Sequence, residues 1–222
     1  MVTSLDGKAS VGGKASPIGS PLDRILMRGL RARADAVLIG AGTLRAEKLR
    51  LDVPEEFARQ RVARGLKPQP LAVVATSNGD LPIETNLLAA SPESLLVMVS
   101  SEIPHWRIDA LSSGAVVEEI APRNQGGHPD MGKALELLKE RYQADVLVVE
   151  GGPVLNHALV SAGLVDELFL TLAPKILGGD RSDTSTVLEG PVLPALDKAE
   201  AALISAYLSQ GSELFLRYAL DL

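Results

Sequence analysis

The chain has 222 residues with no cysteine, three histidines, 46% apolar and 3% aromatic residues, and a formal net charge of −6. That length suits one α/β domain with a sizeable core, and the missing cysteines exclude disulfides, thiolate zinc sites and cysteine nucleophiles. Scattered basic residues under a negative net charge, with so few stacking platforms, argue against nucleic-acid binding, and no apolar run approaches the roughly 18 to 20 residues of a membrane span.

The chain opens on Thr3-Ser4-Leu5-Asp6-Gly7-Lys8, without the apolar stretch of a secretory signal, so a cytoplasmic protein is expected. Ser4, Asp6 and Lys8 around a glycine can hydrogen-bond a heterocycle or hold a phosphate; Asp-Gly is equally an ordinary turn. Ser20, Pro21 and Asp23 supply an N-cap, a first-turn proline and an acidic third position. They predict a helix over residues 21–33 with Leu22, Ile25, Leu26 and Leu30 on its apolar face. Arg24, Arg28, Arg31 and Arg33 fall mostly off that face and read as solvated charges.

A β-branched run at 36–40 then leads into Gly40, Ala41, Gly42 and Thr43. Small residues where a strand ends let a phosphate or ribose approach backbone amides, and Thr43 adds a hydroxyl; a tight turn uses the same glycines. Arg45 stands where a G-x-G-x-x-G fingerprint needs its third glycine, which weakens a Rossmann assignment. Arg45, Lys48 and Arg50 are candidates for a phosphate.

Strands at 71–76, 95–100, 115–120, 145–150 and 167–173 alternate with helices predicted at 130–142 and 153–162, the pattern of a parallel sheet with crossover helices. Glu150 breaks an apolar strand at its carboxyl end, where open parallel sheets bind ligands, and Gly151, Gly152 and Pro153 leave bare backbone before a helix start. Glu150 either serves a ligand there or satisfies neighbouring amides. Residues 123–129 and 178–194 read as long loops, one of them a candidate flap, and runs at 202–208 and 213–220 predict a terminal antiparallel hairpin. His105, His128 and His157 have no spacing that puts two on one face, so no metal site is expected.

Taken in order, Ser4-Leu-Asp-Gly-Lys8, the segment from Leu30 to Thr43, Val149-Glu-Gly-Gly-Pro153, and Gly163-Leu-Val-Asp-Glu-Leu168 with Ala173-Pro174 and Ile176-Leu-Gly-Gly179 resemble the pyrimidine reductases of riboflavin biosynthesis, in the dihydrofolate reductase superfamily. The resemblance implies one α/β domain over residues 1–222, with a mostly parallel sheet of about eight strands, flanking helices and the hairpin. It implies NADPH along Gly40, Gly42, Thr43, Gly151, Gly152 and Pro153, with Thr76, Ser77 and Asn78 near the adenosine 2′-phosphate. The substrate faces Ser4, Lys8, Ser16, Glu47, Glu150 and the phosphate candidate Arg50. In the family's reaction a ribosylamine ring opens to an imine and C1′ accepts hydride, so Lys8 and Glu150 are the candidates for orientation and proton traffic. A homodimer is expected, as relatives of this kind often form one.

Three departures accompany the resemblance. The bifunctional members' zinc deaminase needs cysteines this chain lacks, which implies a stand-alone reductase. After Thr43 the family's Ala-Asp-Asp/Asn-Pro-x-Leu-Thr is replaced by Ala46-Glu-Lys-Leu-Arg-Leu-Asp52; Glu47 keeps a carboxylate and Lys48 reverses a charge. A pterin or dihydrofolate-type reductase and a catalytically silent nucleotide-binding module therefore stay open. Finally, only Met1, Val2 and Thr3 precede the first motif, where the family has an apolar strand, so that strand is expected to be short or the chain to begin late.

Overall fold

The structure, a computed structural model, describes residues 1–47, 49–81, 94–123, 127–180, 182–193 and 200–221. Its elements in chain order are β1 (Val2–Thr3), β2 (Ser10–Val11), α1 (Pro21–Arg31), β3 (Ala36–Gly40), α2 (Ala41–Glu47), α3 (Glu55–Ala63), β4 (Leu71–Thr76), β5 (Leu95–Ser100), α4 (His105–Ser112), β6 (Val116–Ile120), α5 (Met131–Tyr142), β7 (Leu147–Val149), α6 (Pro153–Ser161), β8 (Glu167–Leu172), β9 (Thr184–Ser185), β10 (Glu200–Leu208) and β11 (Leu214–Asp221). They fall into two compact units, one of Met1–Arg24 with Gly151–Leu222 and one of Ile25–Glu150.

The Ile25–Glu150 unit holds a five-stranded parallel sheet ordered β6-β5-β4-β3-β7. Its central strands β3, β4 and β5 are largely apolar on both faces, as strands buried on both faces are: every residue of β5 is buried, and Val37, Ile39, Leu44, Leu51, Val74, Val97 and Val99 form one core cluster. Each such side chain removed from water contributes about 1.5 to 3 kcal/mol before chain entropy opposes it. The register Gly40↔Ala75 with Leu38↔Val149 puts the carboxyl ends of β4, β3 and β7 side by side on one edge. Asp130 caps α5 by accepting the N–H of Gly132, and left-handed Gln143 ends it, as the 130–142 expectation requires.

Helix α1 stops two residues early because its end tightens. Arg33 and Ala34 donate to carbonyls three residues back, and the buried guanidinium of Arg61 takes the carbonyls of Arg31 and Ala34. The expected apolar face of α1 is corrected: Leu22, Ile25 and Leu26 are exposed, and Asp23 is the buried residue. Amphipathic spacing marks the helix without saying that this chain's own core receives the stripe. Gly40 does not enter a tight turn either, since α2 begins at the next residue.

The other unit carries a four-stranded sheet ordered β1-β8-β11-β10 and the small pair β2-β9. Strand β1 runs parallel to β8, and β10 and β11 form the expected antiparallel hairpin, closed from Leu208↔Leu214. The α/β class, the parallel sheet, its helices and the hairpin thus stand, but in place of one sheet of about eight strands the described strands are divided among three sheets of five, four and two. No described helix is long and apolar enough to cross a membrane.

Candidate active site

In the Ile25–Glu150 unit the candidate residues gather where three neighbouring parallel strands end. Gly40 closes β3, and buried Ala41 and Leu44 anchor α2 directly behind it. Gly42 lies exposed in the first turn of α2; a Cβ built there would meet nothing nearer than the Arg45 guanidinium at 4.0 Å. Packing does not require glycine at this position, and in a helix glycine costs up to about 1 kcal/mol relative to alanine. A smooth, Cβ-free patch at a carboxyl strand end is suited to a ligand pressed against backbone. Thr43 beside it is half-buried.

Strand β4 ends in Thr76, whose buried hydroxyl accepts the N–H of Gly79 at 3.1 Å, while Asn78 Oδ1 accepts the N–H of Asp80 at 3.0 Å. The turn at 76–80, which includes half-buried Ser77, is therefore held from within. Two guanidinium groups converge on it. Arg45 from α2 donates to the Asp80 carbonyl and lies 3.8 Å from its carboxylate, and Arg107 from α4 donates to the Asn78 carbonyl and stacks on Trp106 at 5.1 Å. Arg107 escaped the sequence reading because residues 105–112 show no clear apolar period; only its charge hinted at a role.

Glu150 directly follows β7, its N–H bonded to the Leu38 carbonyl at 2.9 Å. Its carboxylate is gripped by Arg31 through Nε and Nη2, the latter at 2.6 Å, with the two side chains 4% and 11% exposed. The reading of Arg31 as a solvated charge is corrected: it is a buried ion-pair partner. Its Nη1 donates to the carbonyls of Arg50 at 2.6 Å and Asp52 at 3.2 Å. The Arg50 guanidinium lies on the Asp52 carboxylate at 2.7 Å, which raises its pKa, and Glu47 is half-buried at the end of α2. Lys48 lies outside the described residues.

In the other unit the loop carrying Ser4 and Lys8 is tightly organised. The Ser4 hydroxyl donates to Asp6 Oδ1 at 2.7 Å and accepts the Lys8 N–H at 2.9 Å, with Gly7 at φ +78. Asp6 also accepts the N–H groups of Leu177 at 3.1 Å and Gly178 at 2.8 Å. The Ser4 hydroxyl first, then those amides, lower the Asp6 pKa to about 2. Two motifs that the sequence shows far apart are thus one structure, a link invisible from spacing. Lys8 is half-buried and Ser16 is exposed; the Asp180 pKa is lowered by the Ser182 hydroxyl first and then the Ser182 amide, with the Lys8 charge the smallest contribution. Gly151, at φ +95, sits against Met1 and Asn156, the Gly151–Gly152 peptide is cis, and Gly152 stands at the N-cap of α6 with no side chain to cap it ahead of Pro153. Among the described residues no histidine and carboxylate cluster is arranged to hold a metal ion.

Residues 1–206 match the family described as the RibD C-terminal domain. The 2,5-diamino-6-ribosylamino-4(3H)-pyrimidinone 5′-phosphate reductase of Archaeoglobus fulgidus is 32% identical over 192 residues, covering 86% of this chain and 84% of that protein. The protein of the same name from Methanothermobacter thermautotrophicus is 28% identical over 218 residues, covering 97% and 93%. Among solved structures, a pyrimidine reductase-like protein from Corynebacterium diphtheriae superposes with a TM-score of 0.83 at 25% identity, covering 98% of this chain and 88% of that one.

Proposed function

This chain belongs to the RibD C-terminal domain family, and from that membership we propose that it is an NADPH-dependent reductase of riboflavin biosynthesis that converts the ribosyl group of an aminopyrimidine ribosylamine 5′-phosphate to ribityl. The names of its relatives in Archaeoglobus and Methanothermobacter support the substrate class. The observation that carries the cofactor reading is Gly42, a helical glycine that the chain's own packing does not need, at a carboxyl strand edge.

On this reading Gly40, Gly42, Thr43, Thr76, Ser77, Gly151, Gly152 and Pro153 hold NADPH, which when bound supplies the hydride for C1′ of the opened sugar. Ser4, Ser16, Glu47 and Arg50 contact the substrate. Arg50 already binds a carboxylate in a geometry that a phosphate can share. Both oxygens of Glu150 are occupied by Arg31, which favours orientation as its role. Proton traffic to the nitrogen or oxygen whose charge changes then falls to Lys8.

Residues 1–222 are read as one cytoplasmic reductase domain that pairs into a homodimer. Support for pairing comes from the edge strand β10, where Leu203, Ile204, Tyr207 and Leu208 are 55%, 46%, 68% and 72% exposed. The test is NADPH oxidation with a ribosylaminopyrimidine phosphate and, separately, with dihydrofolate. Turnover of the first supports the proposal; turnover of dihydrofolate alone replaces it with a pterin-type reductase, and tight NADPH binding without any turnover with a silent nucleotide-binding module.

A further inference from the structure

Trp106, the chain's only tryptophan, is 64% exposed on α4, and other residues anchor that helix. Ile103, just ahead of α4, and Arg107 and Leu111 within it recur every fourth position and so share one face. A Cβ built on Gly79 would meet Ile103 Cδ1 at 3.1 Å, Leu111 Cδ1 at 3.5 Å and Arg107 Cβ at 3.7 Å, and Gly79 stands at φ +69. The turn of residues 76–80 is therefore pressed onto this face of α4, with Ile103 and Leu111 buried beneath it. Trp106 lies about 100° round the helix from Arg107, at the rim of that contact. Its ring is not needed to pack the core, which Ile103 and Leu111 already close.

The neighbourhood of the ring is what sets it apart from an ordinary exposed aromatic. The Arg107 guanidinium lies over it, 5.1 Å from the centroid, and donates to the Asn78 carbonyl. A guanidinium offers its face to a ring and its edge to acceptors, so Arg107 joins Trp106 to the turn. Arg45 reaches the same turn from α2, and the register Thr76↔Val99 sets the ends of β4 and β5 side by side beneath it. In an adenosine 2′-phosphate the base and the phosphate leave adjacent carbons of one ribose, so reading both takes an aromatic surface beside a cationic edge. Resting on the reductase reading, we propose that Trp106 is the platform on which the adenine ring of the nicotinamide cofactor stacks. The ring serves NADPH and NADH alike, because both carry adenine, whereas the two arginines serve the phosphate that only NADPH has.

With one tryptophan in the chain, its fluorescence reports this position alone. Excited to the red of adenine absorption, wild-type emission is expected to be quenched as adenosine 2′,5′-bisphosphate binds, with the Kd that calorimetry gives for the same ligand. Trp106→Ala is expected to weaken NADPH and NADH alike by roughly tenfold, and Trp106→Phe, which keeps a ring, by less. Unchanged emission while calorimetry shows the bisphosphate bound overturns the proposal, as does wild-type affinity for both cofactors in Trp106→Ala. A loss confined to NADPH overturns it as well, since the ring then only props Arg107 against the phosphate. Altered sedimentation of Trp106→Ala with cofactor affinity intact assigns the ring instead to a contact between copies of the chain. A wild-type protein with no affinity for NADPH rejects the reductase reading on which the proposal rests.

Discussion

The carboxylate of Asp6 accepts the backbone N–H of Gly178 at 2.8 Å across 172 positions of sequence. With the Ser4 hydroxyl and the Leu177 amide it makes one polar knot from the first loop and the loop after β8.

That knot is acid-sensitive with a defined sign. The folded pKa of Asp6 is lowered to about 2 from 3.8, so its stabilisation is present above about pH 4 and is lost as pH falls through 2. Asp6→Asn is expected to unfold at lower temperature than wild type at neutral pH, with the two melting curves converging toward pH 2. A gap that stays constant over that range contradicts the assignment.

Gly42→Ala separates packing from ligand approach. Because space for the methyl exists and alanine is the better helix former, the fold is expected to be unchanged or stabilised by up to about 1 kcal/mol in thermal unfolding. NADPH affinity is expected to fall by roughly tenfold if the ligand lies on that patch. Unaltered affinity removes Gly42 from the cofactor site.

Arg45 and Arg107, which meet at the turn of residues 76–80, predict a preference between nicotinamide cofactors. Replacing either with alanine is expected to raise KM for NADPH by roughly tenfold, since a charge-assisted contact to phosphate contributes about 1.5 to 3 kcal/mol. KM for NADH should hardly move. Equal changes for both cofactors point to a purely structural role in holding the turn.

Tyr207→Glu together with Leu208→Asp places two charges on the exposed edge strand β10. On the homodimer proposal, wild type is expected to sediment as a dimer and this variant as a monomer, and a monomeric wild type contradicts the pairing. A variant that still sediments as a dimer assigns the interface to another surface.

Much of this architecture was legible in the chain itself. The strands at 36–40, 71–76 and 95–100 coincide with β3, β4 and β5 because buried parallel strands are short continuous apolar runs with no competing pattern. Helix α2 was hidden by Gly40 and Gly42, which read as a turn, and α3 and α4 by their weak apolar period. In the candidate site, the glycines and Glu150 stood out as breaks in apolar strands. The Arg31–Glu150 pair did not, because 119 positions separate its partners and an arginine off the apolar face resembles a solvated one. Long-range pairing is set by the sheet order, and sheet order leaves no local mark.

The most direct test of the central claim is hydride transfer itself. With NADPH carrying deuterium at the transferable C4 position and a ribosylaminopyrimidine 5′-phosphate as acceptor, the product should be the ribityl compound with the deuterium on C1′. Absence of NADPH consumption with that acceptor, or a product whose C1′ carries no deuterium, contradicts the account.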